Sequence, residues 1–369
     1  MQITLIEPAQ RFYTCPFSNL YLAGLREWDS LGHGFDGLRK QGIEVVHASA
    51  EQLDARGRTV KLSNGSTLRW DKLVLSPGVD MQWNKLQGYD QAAAEHAPHA
   101  WKAGAQTQLL KRQLQAMKDG GTFIMTIPEN PFRCPPGPYE RAAMVAHYFR
   151  QHKPKSKILL LDAKTAFSKQ ALFMQGWKAL YGNMIEWVGQ VDDGEVVRVD
   201  ARRREVETAF GQRHRADVLN VIPPQKAGLI AERAGVTNAS GWVPVHGGTF
   251  ESSQVQDVFV VGDASIAAPM PKSAFAANTQ GKLVAAVIAA QLRGQALPQA
   301  SFSNTCYSLI GPDYGISVAG VYKAEGGRVV EMPDSGGVSP LDADARFRRM
   351  EALYGQGWYS AITADIWGG

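Results

Sequence analysis

What the sequence lacks narrows its function first. No run approaches the roughly 20 consecutive apolar residues that span a bilayer, and the first residues show no basic-then-apolar signal pattern. Cysteine is scarce: the three, at positions 15, 134 and 306, form no CxxC and no CxxCH, which excludes a zinc ribbon and covalent haem attachment. The eight histidines are scattered. Their one close pair, His96 and His99 in EHAPHAW, has no cysteine or carboxylate at ligand spacing, so no metal site is expected. Charge of one sign is also missing. The 39 Lys and Arg against 35 Asp and Glu leave a net +4 spread along 369 residues, which is no footprint for nucleic acid. The densest basic run, Arg202 to Arg204, lies between the alternating segments EVVRVD and EVETAFG and reads as a solvated hairpin tip. Internal repeats beyond a pair of βαβ units and low-complexity segments are absent too.

What remains is a globular composition, 44% hydrophobic and 20% charged, long enough for two or three domains. The stretch VFVVGDASIAAPMPKSAFAANTQGK, Val258 to Lys282, organises it. Val258 to Val261 make a short buried strand, and Gly262-Asp263 ends it with a sharp turn and a carboxylate at the strand tip. In open α/β sheets the crevice at that end is the usual ligand place, and such an Asp can accept from a sugar or polyol hydroxyl. Lys272 to Leu292 reads as a helix whose amino end, at Lys272 and Ser273, points N–H groups at an electron-rich ring or phosphate. An ordinary strand and helix would read the same way.

Taken in order, Gln2 to Ile6 predicts a strand with Glu7 at its tip. An acidic residue there holds the adenosine ribose in a dinucleotide fold, about 20 residues after a glycine-rich turn; no such turn precedes Glu7 here. A helix near Gly34 to Gln41 follows, then strands at Gly42 to Ala48, Thr59 to Leu62 and Thr67 to Trp70, with Asn64-Gly65 as a hairpin turn. Leu73 to Val79 predicts another buried strand, stopping at Pro77-Gly78. From His99 to Met117 a helix leads into a second unit: strand TFIMTIP, loop PFRCPPGPYE, helix Arg141 to His152, and strand KILLLDA ending at Asp162. That is a βαβ outline with prolines where a nucleotide fold has glycines. Prolines remove backbone donors and forbid the N–H cradle of a pyrophosphate, so this unit should not bind NAD(P)H.

The fold class is therefore α/β. Two dinucleotide-binding-like βαβ domains are expected, the first (1–90 and 224–296) lacking its amino-terminal strand and Gly-rich turn, the second at 91–223. A small carboxyl-terminal α+β domain of strands and a final helix takes 297–369. Cys134 and Cys306 belong to different domains, so only the tertiary fold could join them. They read as buried thiols, as a structural bridge, or as exposed, positioned sulfurs, since prolines surround one and polar residues the other.

Longer matches add to this. The Val258 to Lys282 stretch resembles the second flavin-contacting motif of the glutathione reductase-like flavoproteins, and Leu73 to Val79 the strand that passes close to the cofactor there, at Pro77 and Gly78. ITLIEP followed by YTCPFSN, then PHAWKAG, PFRCPPGPYERA, HKPKSKILLLDA, PMPKSAFAANTQGK, NTCYS, YGISVAG and PDSGGV resemble the flavoprotein subunits of the flavocytochrome c sulfide dehydrogenase family, from Ile3 to the carboxyl end. The resemblance implies FAD joined through its 8α-methyl to Cys15, with Asp263 on the ribityl chain and the Ser273 helix facing the pyrimidine end. It implies a redox disulfide of Cys134 and Cys306 beside the flavin, with Glu140 and Trp358 lining the same pocket. The activity implied is oxidation of sulfide to sulfur or polysulfide. With no haem motif in the chain, the electrons would go to a separate c-type cytochrome subunit, which with a disulfide suggests a periplasmic enzyme. On the same pattern the native reading frame is expected to extend upstream by roughly 30 residues of strand, glycine turn and helix, behind an export signal. Two other readings compete. One is a sulfide:quinone oxidoreductase, for which RFRRMEALYGQGWYSAI would be the membrane-facing element; the other is a cofactor-free, non-catalytic partner subunit.

Overall fold

The strand Thr122–Ile127 is buried over nearly its whole length, as a central parallel strand of continuous apolar residues must be. In the computed structural model, which describes residues 1–368, it lies inside a four-stranded sheet ordered Ile185–Val188, Lys157–Asp162, Thr122–Ile127, Val218–Val221. All three pairings are parallel. The crossover between its first two strands is the helix Gly137–His152. This helix starts at Gly137, not at Arg141 as the pattern predicts, because Pro138 occupies its first turn, where a missing N–H costs nothing and the fixed φ favours entry. Its sides from Tyr139 to Phe149 are almost wholly buried, since it packs against both the helix Ser18–Ala23 and the strand Ser301–Gly311.

The expected His99 to Met117 helix is shorter, Ala105–Ala116. Ala100 takes a left-handed φ of 48°, and Arg141 holds the preceding turn: its guanidinium donates to the carbonyls of His99 (3.0 Å) and Ala100 (2.5 Å). A long-range side chain thus overrides local helix propensity.

The first unit carries two separate parallel pairs, Thr4–Ile6 with Glu44–Val46 and Leu73–Leu75 with Val258–Val260. The expected strand Leu73 to Val79 is broken at Gly78 (φ 64°), after which Val79–Met81 pairs antiparallel with Gln225–Ala227. Nor is it buried throughout, for Val74 is 45% exposed. The Asn64-Gly65 hairpin forms as predicted, between Thr59–Leu62 and Thr67–Arg69, and Ala50–Asp54 adds a third strand.

Helix Ala274–Arg293 is capped by Ser273, whose hydroxyl accepts from the Ala276 amide at 3.0 Å. Its Leu283, Val284 and Val287 pack with Phe250, Phe259, Phe302 and Tyr322, joining the first unit to the carboxyl-terminal sheet. Each such fully buried large side chain contributes roughly 1.5–3 kcal/mol. That sheet pairs Ser301–Gly311, Tyr314–Glu325 and Arg328–Glu331 antiparallel and carries the last helix, Ala345–Trp367, which Asp344 caps. Its Ile310, Ile316 and Ala352 belong to the same core as Phe123, Met125 and Tyr139 of the second unit. Among the described residues no helix is long and apolar enough to cross a membrane, and no group of His, Cys, Asp and Glu is arranged for a metal ion.

Candidate active site

Cys134 stands where a loop turns into the Gly137–His152 helix. Its backbone is left-handed, with φ 56°, and is held from both sides: its amide donates to Lys272 O and its carbonyl accepts from Gly137 N, both at 2.8 Å. Gly137 must be glycine, because a Cβ there would sit 3.0 Å from the Cys134 sulfur and 2.9 Å from the Trp101 ring. Cys306 comes from the strand Ser301–Gly311, opposite Val318. Asn304 ties it to the flavin-motif helix: its Nδ2 lies 3.4 Å from Cys306 Sγ, while its Oδ1 accepts from Ser273 Oγ at 2.5 Å. One hydroxyl therefore caps that helix and sets the side chain beside Cys306.

The fold brings Cys134 and Cys306 close enough for each to act on the other electrostatically, with no bond between them in this structure. Neither is exposed, as the loop chemistry had suggested; both are half-buried, where the strand of Cys306 docks on the helix that Cys134 precedes. Burial pushes the Cys134 thiol above its ordinary value, and Cys306 and Glu140 push it further against the pull of Arg133 and Lys169. A cleft of about 180 Å³ opens on Cys306, between Pro135, Pro136, Ser168, Asn304 and Tyr322.

Glu140 lies one turn into the same helix. Its Oε1 accepts from the Leu309 amide and its Oε2 from Asn19 Nδ2, each at 2.9 Å, so one carboxylate joins three parts of the chain. Burial raises its pKa, opposed by those two hydrogen bonds and by Lys169 and Arg141.

On the other side of Cys134 lies the polar end of the first unit. Gly262 (φ 73°) turns the chain after Val258–Val260, and its amide donates to Gln280 Oε1 at 2.7 Å. Asp263 Oδ2 is 4.0 Å from Arg133 Nε, and burial raises its pKa against the charges of Arg133 and Lys272. Lys272 Nζ donates to the carbonyls of Asp263 (2.7 Å) and Ser265 (2.8 Å) over the Trp242 ring. Burial lowers its pKa to about 8, with Asp263 acting against the shift. Gly262, Lys272 and Ser273 line a cleft of about 1140 Å³ between the two units.

Cys15 precedes the helix Ser18–Ala23 and lies against the loop that Arg141 anchors. The Ala103 amide is 3.4 Å from its sulfur and the Trp101 carbonyl 3.8 Å. Arg133 links the groups: Cys15, Asp263 and Cys134 together keep its charge favoured although burial opposes it. Pro77 packs on Gly228, and Gly78 O accepts from the Gly228 amide at 3.0 Å. Glu7 caps its own turn, accepting from Ala9 N at 2.9 Å, at the far end of Thr4–Ile6. Trp358 stacks on Phe275, with centroids 6.2 Å apart, one residue into the Ser273-capped helix; its neighbour Tyr359 is the buried one and bonds Thr14 Oγ1 at 2.8 Å.

The residues fit a flavin at the Asp263 end. Asp263 Oδ1, Arg133 Nη2 and Gln225 Nε2 are buried without a protein partner, a set of acceptor and donors suited to a ribityl hydroxyl and a polar ring edge. Of the residues the sequence left unmarked, Arg133 adjoins Cys134 in FRCPPG and had that position as its signal. Asn19 and Arg141 lie within the matches YTCPFSN and PFRCPPGPYERA, but their roles come from hydrogen bonds to distant segments; Lys169 lies in no such match.

Two family profiles match the chain: sulfide dehydrogenase (flavocytochrome c) flavoprotein chain, central, over residues 107–223, and flavocytochrome c sulphide dehydrogenase, flavin-binding, over residues 298–367. Together they take in more than half of it. Curated relatives include the mitochondrial sulfide:quinone oxidoreductases of Dictyostelium discoideum, 23% identical over 290 residues, and of Schizosaccharomyces pombe, 21% over 274. Those alignments cover 76% and 72% of this chain but 63% and 60% of the relatives, so the chain spans less than two thirds of their length. Among solved structures, the sulfide:quinone oxidoreductase of the hyperthermophilic bacterium Aquifex aeolicus superposes with a TM-score of 0.74 at 18% identity, covering 100% of this chain and 86% of that one. The ferredoxin reductase for the CYP199A2 system of Rhodopseudomonas palustris gives 0.61 at 17%, covering 89% and 84%. At these identities the likeness is one of fold.

Proposed function

This chain belongs to the family of the flavocytochrome c sulfide dehydrogenase flavoprotein chain, and from that premise we propose that it oxidises sulfide at the Cys134 and Cys306 pair. The observation that carries the reading is that two cysteines far apart in sequence are both tied to the start of the Ser273-capped helix, Cys134 through Lys272 O and Cys306 through Asn304. In the oxidised pair, hydrosulfide attacks one sulfur of the bridge. A new S–S bond forms as the old one breaks, leaving a persulfide on one cysteine and the electron pair as a thiolate on the other. Bound FAD supplies the two-electron acceptor chemistry.

The chain's own residues prepare that chemistry. Asp263, Arg133 and Gln225 offer the unpaired groups that would hold the flavin, and Cys15 would anchor it covalently. Glu140, its pKa raised, holds or releases a proton within the pocket. Electrons leave for a c-type cytochrome subunit, and a disulfide enzyme with that partner works in the periplasm.

The test is sulfide-dependent reduction of a c-type cytochrome by the holoprotein. Cys134→Ser and Cys306→Ser should each abolish turnover while leaving the flavin bound; near-normal turnover in either would make the pair structural. A second reading, electron delivery to a quinone at a membrane surface, is favoured by exposed Phe347, Met350, Leu353 and Tyr354 on the last helix. Flotation of the purified protein with liposomes would favour that reading, and failure to float the cytochrome reading.

A further inference from the structure

Lys169 has no part in the chemistry above, yet it is placed at the dithiol pocket with unusual care. It is the residue before helix Gln170–Tyr181 and takes a left-handed backbone, φ 60°, a conformation that a long side chain adopts only where the surroundings impose it. From there Nζ reaches across into the carboxyl-terminal domain and donates to the Cys306 carbonyl and to Ser308 Oγ, both at 2.8 Å. The preceding residue, Ser168, forms part of the wall of the 180 Å³ cleft that opens on Cys306. Cys134 does not line that cleft, so an anion arriving through it meets Cys306 first.

We propose that Lys169 is the cation that receives hydrosulfide at Cys306 and then holds the anionic persulfide formed there. The proposal rests on the sulfide-oxidising reading and adds to it a positioning residue and the sulfur attacked. In the step, HS⁻ bonds to Cys306 Sγ, the Cys134–Cys306 bond breaks, and its electron pair stays on Cys134 as the thiolate. The persulfide on Cys306 then loses its proton to water, and Lys169 faces the resulting negative charge. A lysine is needed rather than a neutral donor because both the incoming and the retained sulfur species are anions in a partly desolvated site.

The groups facing Lys169 agree. Burial lowers its pKa to about 8, while Cys306, Glu140, Cys134 and Glu351, from three elements and the loop before one of them, act to keep it charged. The aromatic face of Phe173 lies 5.7 Å from Nζ. The lysine is therefore cationic below about pH 8 and loses its charge above it.

The first measurement needs no flavin. Reduced wild-type, Lys169→Met and Lys169→Arg proteins are alkylated with iodoacetamide across a pH series, and the Cys306 peptide is quantified by mass spectrometry. Lys169→Met should slow the labelling of Cys306 at pH 7 roughly tenfold, and Lys169→Arg should restore it. An unchanged labelling rate across the pH series in folded Lys169→Met overturns the proposal. The second measurement is flavin bleaching by sodium sulfide in the holoprotein. The wild-type rate should fall above about pH 8, and the Lys169→Arg rate should hold to higher pH, because arginine stays charged. A wild-type flavin that sulfide does not bleach at any pH sinks the sulfide reading itself. Wild-type bleaching with an equal rate and pH profile in Lys169→Met sinks only the role of Lys169.

Discussion

The Tyr139 hydroxyl donates to Asp162 Oδ2 at 2.5 Å. Asp162 ends the second strand of the second unit, where a dinucleotide fold presents its acidic residue to a ribose. Here that carboxylate is wholly buried and already taken: Trp187 Nε1 donates at 2.9 Å and Lys164 Nζ at 2.6 Å as well. Tyr139 itself is pinned by Phe167, stacked at 3.6 Å. NADH and NADPH should therefore fail to bleach the flavin at useful rates, for want of both the ribose acceptor and the glycine-lined phosphate turn. Anaerobic stopped-flow mixing with either nucleotide checks this, and rapid bleaching would refute it.

The same carboxylate should matter for stability. Asp162→Ala leaves the Tyr139 hydroxyl, the Trp187 indole and the Lys164 ammonium without this acceptor, one of them charged. Breaking a buried ion pair in this way costs about 3–5 kcal/mol. Urea unfolding of the variant should show a loss of that order; a change below about 1 kcal/mol would mean that water replaces the carboxylate.

How much of this was legible depended on how local the cause was. The strands Thr122–Ile127 and Lys157–Asp162 and the Asn64-Gly65 hairpin follow from apolar runs and turn chemistry that lie within a few residues. The helix read from Lys272 to Leu292 is found two residues later at its start, at Ala274, because Ser273 caps it. The His99 turn is not, because Arg141 sets it from more than forty positions away through two carbonyls. The half-burial of Cys134 and Cys306 was hidden likewise: flanking prolines mark a loop, but only the docking of Ser301–Gly311 on the Gly137–His152 helix shows that the loop is covered. Lys169 has neither motif nor periodicity; its meaning arises from Cys306 O and Ser308, in another domain.

Cys15 carries the next expectation. Its sulfur lies 3.4 Å from the Ala103 amide, on the loop that Arg141 anchors. Flavin should stay with the polypeptide after acid precipitation of the holoprotein, and Cys15→Ser should release it to the supernatant. All of the yellow colour in the wild-type supernatant would show that no thioether forms.

His99 sets the response to acid. It is 6% exposed, and its Nδ1 accepts from the Trp101 amide at 2.9 Å, so the neutral ring holds the loop against which Cys15 lies. Burial, and then the charges of Arg141, Lys102 and Arg133, lower its pKa from 6.5 to about 3. Below pH 6.5 the unfolded chain therefore takes up a proton that the folded chain refuses until about pH 3. The contribution is fully present above 6.5 and is lost as pH falls through that window, at about 1.4 kcal/mol per unit. Asparagine at this position keeps an acceptor for the Trp101 amide but cannot titrate. Between pH 7 and pH 5 the wild type should lose about 2 kcal/mol more than His99→Asn in urea unfolding. Other acid-sensitive groups affect both proteins alike and cancel in that difference. Parallel losses in the two would mean that the folded protein lets His99 charge, and that the loop beside Cys15 opens to do so.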